Sequence, residues 1–258
     1  MCGRYVIARM AGDLLGGVEL EEDLANYNVA PTQTVPVLVD HAADGGWRRE
    51  LHSARWGLLP RWAKDESFSS RAFNARSETV LEKPTFRHAV KAQHCAVPAT
   101  GYYEWLKAPE QGSGRPAKTP FYVHPADEAQ NIYFAGLYEW WRIPAGPEQG
   151  GWLLSTTILT MDSPSEREAE LAEHGAATLS ELSRLHDRLP IPLAFTGDDD
   201  DALSRWLRAS ESPAAAVEEV RTGAYDVAAT WELREVGPEV GKVSRNGPEL
   251  IEPAGTLL

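Results

Sequence analysis

Cysteine at the second position is the first residue of this chain that could do chemistry. The sequence begins MCGRY, and initiator Met is removed readily before a small residue, so Cys2 would present a free α-amine and a thiol together. The amine of such an aminothiol attacks an aldehyde to give a Schiff base, and the thiol then closes a five-membered thiazolidine ring intramolecularly. About a tenth of an α-amine of ordinary pKa is neutral and nucleophilic at pH 7. The alternative is that Cys2 only follows the initiator in a frayed terminus.

Two further residues have the chemistry of proton transfer. Glu104 stands in GYYEW, a run of aromatic residues typical of a core strand, where an apolar environment would raise the pKa of a carboxyl group toward the range useful for acid and base catalysis. The alternative for Glu104 is a surface-facing strand position. His186, in SRLHDRLPIPL, precedes a predicted strand, and a single histidine of this kind is more often structural than catalytic.

The other cysteine is expected to be inert. Cys95 lies in HCAVPATGYYEW, an apolar strand-like segment, where a buried thiol is the expected state. Two cysteines are too few for a disulfide scaffold, and their spacing is not that of a metal site. The sequence therefore predicts no disulfide. No metal or organic cofactor is implied by the sequence as a whole.

The charge distribution gives mixed indications about nucleic acid. A net charge of −13 argues against phosphate binding, but residues 55–91 contain eight Lys or Arg and four Asp or Glu side chains. A small basic face on an acidic protein fits this pattern, and so do scattered solvated charges. No apolar run is long enough to span a bilayer and the start does not look like a signal peptide, so we expect a soluble, cytoplasmic protein.

The elements that must position these residues are mostly strands. Short β-like runs bounded by Gly, Pro, Asn and Asp recur along the chain, among them VPVLVD, PFYVHP, NIYFAGLYEWW and WLLSTTILT. This pattern predicts an α+β, mainly β fold: one domain over 1–258, with an antiparallel barrel-like sheet core and a few peripheral helices.

Helices and loops are fewer. GDDDDALSRWLRAS has acidic residues in its first turn and an apolar stripe of Leu203, Trp206 and Leu207, which predicts a helix. SPSEREAELAEHG and SPAAAVEEVRTG are weaker helix candidates. Segments 107–120 and 142–151 are rich in Gly and Pro and are predicted to be hairpin loops.

Seven motifs in order resemble those of one family. They are MCGRY, YNVAPTQ, RWGLLPRWA, NARSE, GYYEW, LHDRLP and SRNGPELIEP, and they extend from the first residues almost to the last. Together they look like the SRAP family, the SOS response-associated peptidase proteins that cross-link to abasic sites.

The resemblance implies a role for each matching residue. Cys2 would be the nucleophile that forms a thiazolidine with the ring-opened abasic sugar, and Asn74 would orient the N-terminus and that sugar. Glu104 and His186 would be the acid/base pair for Schiff-base formation, ring opening and self-reversal. Arg4 and Arg76 would hold DNA phosphates, a task that suits the charge and fork geometry of arginine.

Single-stranded DNA containing abasic sites is the partner that the resemblance implies. The sequence contains no signal for the oligomeric state, and a monomer is the default expectation. Trp56 and Trp62 are candidates for stacking on neighbouring bases, and core packing is the alternative for both. Some family members have paired tryptophans at this point, whereas Ala63 follows Trp62 here, so the wedge against a duplex is expected to be weaker. The competing functions are an N-terminal-nucleophile thiol peptidase, including one that removes its own Met1, and a non-covalent reader of single-stranded or modified DNA.

Overall fold

Two β-sheets form most of this protein, a computed structural model of which describes residues 3–8, 25–107, 118–209 and 212–255. The strands in chain order are β1 (Tyr5–Ile7), β2 (Asn26–Val29), β3 (Thr34–Ala43), β4 (Gly46–Trp56), β5 (Asn74–Arg76), β6 (His94–Ala99), β7 (Gly101–Lys107), β8 (Lys118–Pro125), β9 (Ile132–Arg142), β10 (Trp152–Asp162), β11 (Arg188–Pro190), β12 (Pro192–Leu193) and β13 (Trp231–Glu235). The helices are α1 (Glu166–Leu171), α2 (Ala176–Leu185), α3 (Ala202–Arg208), α4 (Pro213–Thr222) and α5 (Ala224–Ala228). Short 3₁₀ turns cover Glu66–Arg71, Ala89–Lys91, Pro238–Gly241 and Pro248–Ile251.

The larger sheet closes into a barrel. Its order is β10-β4-β3-β6-β9, and β9 pairs again with β10, so five strands form a ring with β11, β12 and β5 attached. Closure leaves no free edges within the ring. Most pairings are antiparallel, as predicted, but β10 is parallel to β4 and β5. The mainly β, barrel-like core predicted from the sequence is confirmed, with this mixed pairing added.

The smaller sheet brings the start of the chain to the candidate residues. Its order is β13-β8-β7-β1-β2. Strand β1 pairs antiparallel with β7, with Tyr5 opposite Tyr102 and Val6 opposite Gly101. The Tyr103 amide also donates to the Arg4 carbonyl over 2.9 Å, so the pairing continues toward the N-terminus.

The core lies inside the barrel and between it and the helices. Trp56, Phe134, Leu137 and Ile158 are completely buried in it. Cys95 is also completely buried on β6, and burial raises the pKa of its thiol to about 12 although Thr156 Oγ1 lies 3.3 Å away. The inert thiol predicted for this position is confirmed.

All three predicted helices form, and their ends follow capping rules. Asp201 caps α3 by accepting from the Ser204 amide over 2.7 Å, and the predicted apolar stripe of α3 is buried. Ser165 and Glu168 form a capping box at α1, and Ser212 caps α4. In the described part of the chain, no helix is long and apolar enough to cross a membrane.

One of the two predicted loops can be checked. Residues 143–151 connect the long antiparallel strands β9 and β10, which confirms a hairpin excursion there. The other prediction, 107–120, falls mostly on residues 108–117, which lie outside the described residues.

Candidate active site

Glu104 and His186 line one cavity of about 470 Å³. Glu104 comes from β7 of the smaller sheet, and His186 is the residue that ends α2. Their charges interact, since the carboxylate of Glu104 favours the protonated form of the histidine. The cavity wall consists of Glu104, Trp105, Lys107, Lys118, His186 and Gly241.

Glu104 is buried, which excludes the surface-facing alternative. Only 5% of the residue is exposed, and its neighbours Tyr102 and Tyr103 are buried on opposite faces of β7. Its Oε1 accepts from the Trp105 amide over 3.2 Å. A carboxyl group so placed is costly to keep unless it is partnered or used.

Burial keeps His186 neutral at physiological pH. Burial lowers the pKa of its imidazole, and the nearby Glu104 charge opposes this only in part. Two groups compete for Nδ1: the Arg188 amide donates to it over 2.9 Å, while an Asp187 carboxylate oxygen lies 2.7 Å away and would require a proton on it. Nδ1 accepts from the Arg188 amide in one neutral tautomer and donates to the Asp187 carboxylate in the other.

A buried arginine ties the His186 segment to the Asn74 segment. Both amino groups of Arg188 donate to Glu78, over 2.9 Å each, and Nη2 also donates to the Thr160 carbonyl over 2.7 Å. Burial alone would raise the pKa of Glu78, but the hydrogen bonds and charge of Arg188 hold it below its usual value. The NARSE and LHDRLP motifs are thus joined by one bidentate ion pair.

Asn74 and Arg76 lie on β5, on the face opposite the buried Ala75. Asn74 is half-buried and pairs with Ile158 of β10. Arg76 is exposed, and in the described ranges it forms no ion pair. Its guanidinium is therefore available to a ligand at the surface.

Arg4 is bound within the protein. Its Nη1 donates to Asn28 Oδ1 over 2.8 Å and to the Val240 carbonyl over 3.0 Å, and burial lowers its pKa. These bonds hold the segment before β1 against β2 and the C-terminal turns. Five N–H donors leave a guanidinium further capacity, so phosphate binding by Arg4 stays a prediction.

Comparisons with known proteins show the family to which this chain belongs. Residues 1–243 match the family model described as SOS response associated peptidase (SRAP). This chain belongs to the SRAP family. It is similar to the abasic site processing protein YoqW of Bacillus subtilis, with 31% identity over 98% of this chain and 99% of that protein. It is also similar to the abasic site processing protein HMCES of Gallus gallus, with 29% identity over 88% of this chain and 66% of that protein.

Solved structures share the SRAP fold seen here. A protein from Bacteroides thetaiotaomicron superposes with a TM-score of 0.68 at 21% identity, covering 98% of this chain and all of that one. A protein from Bordetella bronchiseptica superposes with a TM-score of 0.60 at 25% identity, over 92% of this chain and all of that one.

The two tryptophans of the SRAP motif RWGLLPRWA have different environments. Trp56 is completely buried, donates Nε1–H to the Phe73 carbonyl and packs edge-on against Tyr5. No base can reach it in this structure, so the prediction that Trp56 stacks on DNA is wrong and its core-packing alternative holds. Trp62 is 54% exposed and packs edge-on against Phe68, so it stays a candidate for stacking.

Sequence reasoning missed two lysines of this SRAP cavity. Lys107 and Lys118 are opposite each other and are the last pair of β7 and β8 before the segment that connects the two strands. Both line the cavity with Glu104 and His186. The Gly and Pro residues between them predict a loop over the whole of 107–120. The alternating pattern of PFYVHP, extended back by two residues, was the available signal for Lys118.

Cys2 lies outside the described residues, so the structure describes neither its amine nor its thiol.

Proposed function

We propose that this SRAP protein captures abasic sites in single-stranded DNA covalently, through Cys2 after loss of Met1. The observation that carries the proposal is the shared cavity of Glu104 and His186, which adjoins the strand leading back to Cys2. The relatives named abasic site processing proteins support abasic DNA as the substrate.

The strand register supports a position for Gly3 beside Glu104. Tyr5 is opposite Tyr102, and Arg4 accepts from the Tyr103 amide, so a continued antiparallel register brings Gly3 beside Glu104. Cys2 directly precedes Gly3 in the sequence.

The proposed reaction balances without a cofactor. The Cys2 amine adds to the C1′ aldehyde of the ring-opened deoxyribose, and the resulting carbinolamine loses water to give an imine. The thiol then adds to the imine carbon, and its proton passes to the nitrogen. Aldehyde and aminothiol thus become a thiazolidine and one water, with no oxidation or reduction.

Each of these steps moves a proton, and Glu104 and His186 are the groups assigned to move them. Loss of water from the carbinolamine needs an acid at the departing hydroxyl, while attack by the amine needs a base. Reversal of the cross-link would pass through the same imine, and so would cleavage of the DNA strand by β-elimination. Asn74 is assigned to hold the sugar and the N-terminus, through amide groups that can both donate and accept.

Exposed side chains at the cavity and elsewhere on the protein are suited to a single strand. Arg76, Lys107 and Lys118 are exposed cations that can contact phosphates, and Trp62 presents an aromatic surface on which a base can stack. A single strand allows the sugar that lacks its base to reach a recessed cavity without melting a duplex.

A denaturing gel tests the proposal directly. The protein, with its free N-terminus confirmed by mass spectrometry, is incubated with single-stranded DNA containing one abasic site or none. We expect a shifted band only with abasic DNA, lost completely in Cys2→Ala. Cys95→Ala, which removes the buried thiol, is the matched control and should form the adduct normally.

A detergent-stable adduct that persists in Cys2→Ala would contradict the assignment of the nucleophile. Absence of any adduct from the processed wild-type protein would favour the other functions of this terminus, a thiol peptidase or a non-covalent DNA reader. Binding that survives in native gels but not in denaturing ones would select the reader.

A further inference from the structure

A cluster of two histidines and a glutamate lies on the β3–β4 hairpin, in the barrel sheet rather than in the sheet that carries Glu104. His41 comes from β3, and Glu50 and His52 come from β4. Glu50 and His52 are two residues apart and so share a face of the strand. The mechanism proposed above does not use them.

The hairpin turn sets the register that brings these side chains together. Asp44 and Gly45 form a two-residue turn, with Gly45 at a φ of +89° that favours glycine. The pairing then places His41 opposite Arg48 and Val39 opposite Glu50. His41, Glu50 and His52 consequently lie on the same face of the hairpin, with their side chains half-buried.

The three potential ligand atoms form a closed triangle. His41 Nε2 lies 3.4 Å from His52 Nε2 and 3.5 Å from Glu50 Oε2, and His52 Nε2 lies 3.2 Å from the same oxygen. Charge-assisted hydrogen bonds between imidazole and carboxylate are shorter, at about 2.7–2.9 Å. A hydrogen-bonded chain would also leave one side of the triangle open, whereas here all three sides are similar.

The size of the triangle matches one face of a tetrahedral metal site. Zinc holds nitrogen and oxygen ligands at about 2.0–2.1 Å, which places tetrahedral ligand atoms about 3.3–3.4 Å apart. Six-coordinate geometry at the same bond length would require about 2.9 Å. The observed sides of 3.2–3.5 Å fit the tetrahedral arrangement.

The carboxylate of Glu50 is also oriented for such a site. Its other oxygen, Oε1, accepts from Arg48 Nη2 over 2.5 Å, which leaves Oε2 facing the two imidazoles. Metal-bound carboxylates commonly have a second hydrogen-bonded partner of this kind. The Arg48 side chain is 70% exposed, so water screens its repulsion of a cation.

We propose that His41, Glu50 and His52 form a binding site for one divalent zinc-like ion, with a fourth coordination position open to water. Two neutral imidazoles and one carboxylate are a ligand set that zinc accepts. The ion would cross-link β3 to β4 at the hairpin. This proposal departs from the sequence analysis, which implied no metal, and the ion takes no part in the proposed DNA chemistry.

Zinc titration of the full chain tests the site. We would use untagged protein carrying Cys2→Ala, because an N-terminal aminothiol itself binds zinc, and measure binding by calorimetry and Co(II) binding by visible absorption. We expect one ion per chain and the intense absorption of four-coordinate cobalt. His41→Gln and His52→Gln should each weaken binding by more than about tenfold.

His88→Gln is the matched control. His88 also lies beside a carboxylate, 3.1 Å from Glu139 Oε2, but it is not part of the triangle, so its replacement should leave binding unchanged. Melting temperatures without metal show whether the variants fold. Zinc should raise the melting temperature of the parent protein and not that of His41→Gln.

Ring ¹⁵N resonances provide a readout without mutation of the site. Zinc should shift the Nε2 signals of two histidines in the parent protein, which are identified as the signals missing from the two variants. No uptake of zinc, or equal uptake in the parent, both triangle variants and His88→Gln, would overturn the proposal. Because Cys2 is already replaced, the result is independent of DNA capture.

Discussion

At the scale of single residues, burial changes the chemistry that a side chain can carry out. Cys95 is sealed in the core with the pKa of its thiol raised to about 12, whereas Cys2 stands near the start of the chain. His186 lines a cavity, and its pKa is lowered by burial, so it is neutral at the pH at which an α-amine begins to lose its proton.

This state of His186 predicts a specific pH profile for adduct formation. Because its pKa lies below the ordinary value of about 6.5, the imidazole becomes protonated only in acid and then cannot accept a proton. The Cys2 amine loses its proton as the pH rises and only then becomes nucleophilic. The logarithm of the adduct-formation rate, plotted against pH, should therefore rise with a slope near one around pH 7. Below the pKa of His186 the slope should steepen toward two.

His186→Gln removes the second titration. We expect single-turnover adduct rates about 10²–10⁴-fold lower and a slope of log rate against pH that stays near one from about pH 5 to about pH 7. The measurement is quantitative denaturing electrophoresis across that range. A wild-type slope that never steepens, or a variant that keeps the steep limb, would argue against proton transfer by His186.

At the scale of elements, the site is held by links between segments far apart in the chain. Arg188, at the start of β11, is 7% exposed and binds Glu78, which follows β5. The ion pair fixes the segment that carries Asn74 against the one that carries His186. Loss of this ion pair should make the positions of both segments less well fixed. It removes none of the residues assigned to the proposed reaction.

Arg188→Met should therefore lower the free energy of unfolding and slow adduct formation together. Removing one partner of a buried pair costs about 3–5 kcal/mol, and we expect the lower end because the Glu78 side chain is 29% exposed. Arg205→Met, which breaks the exposed pair with Glu219, is the control and should cost less than about 1 kcal/mol. Urea unfolding measures both; similar losses in the two variants would show that Arg188 is not a specific link.

At the scale of the whole molecule, an acidic protein must present a local cationic surface to bind DNA. The net charge is −13, yet residues 55–91 carry an excess of positive charge that includes the exposed Arg76. Long-range repulsion from the rest of the protein falls off over about 8 Å at physiological salt, so under the proposed function a short-range contact with the exposed Arg76 can hold a phosphate.

Arg76→Ala should weaken binding to single-stranded DNA and reduce the slope of log Kd against log salt by about one. Cys2→Ala protein is the suitable background, because it separates binding from cross-linking. Arg167→Ala, an exposed arginine on α1, is the charge-matched control and should change little. Fluorescence anisotropy at several salt concentrations measures both, and equal slopes for the two variants would exclude a phosphate contact at Arg76.

The sequence by itself determined which reactive groups the protein contains and much of its secondary structure, because both depend on residue types at neighbouring positions. The aminothiol at Cys2, the capped helix α3 and the alternating strands follow from residue types within a few positions of one another. Such signals need no knowledge of distant packing, which is why they could be read directly.

Only the tertiary structure decided which side chains meet and which are accessible. Trp56 and Trp62 share one motif, yet barrel closure buries the first and leaves the second exposed. Glu104 and His186 meet because a sheet strand and the end of a helix pack together, and His41 meets His52 because a hairpin folds back. Burial and proximity depend on contacts between segments far apart in the chain, and a sequence pattern records only the face to which each residue belongs.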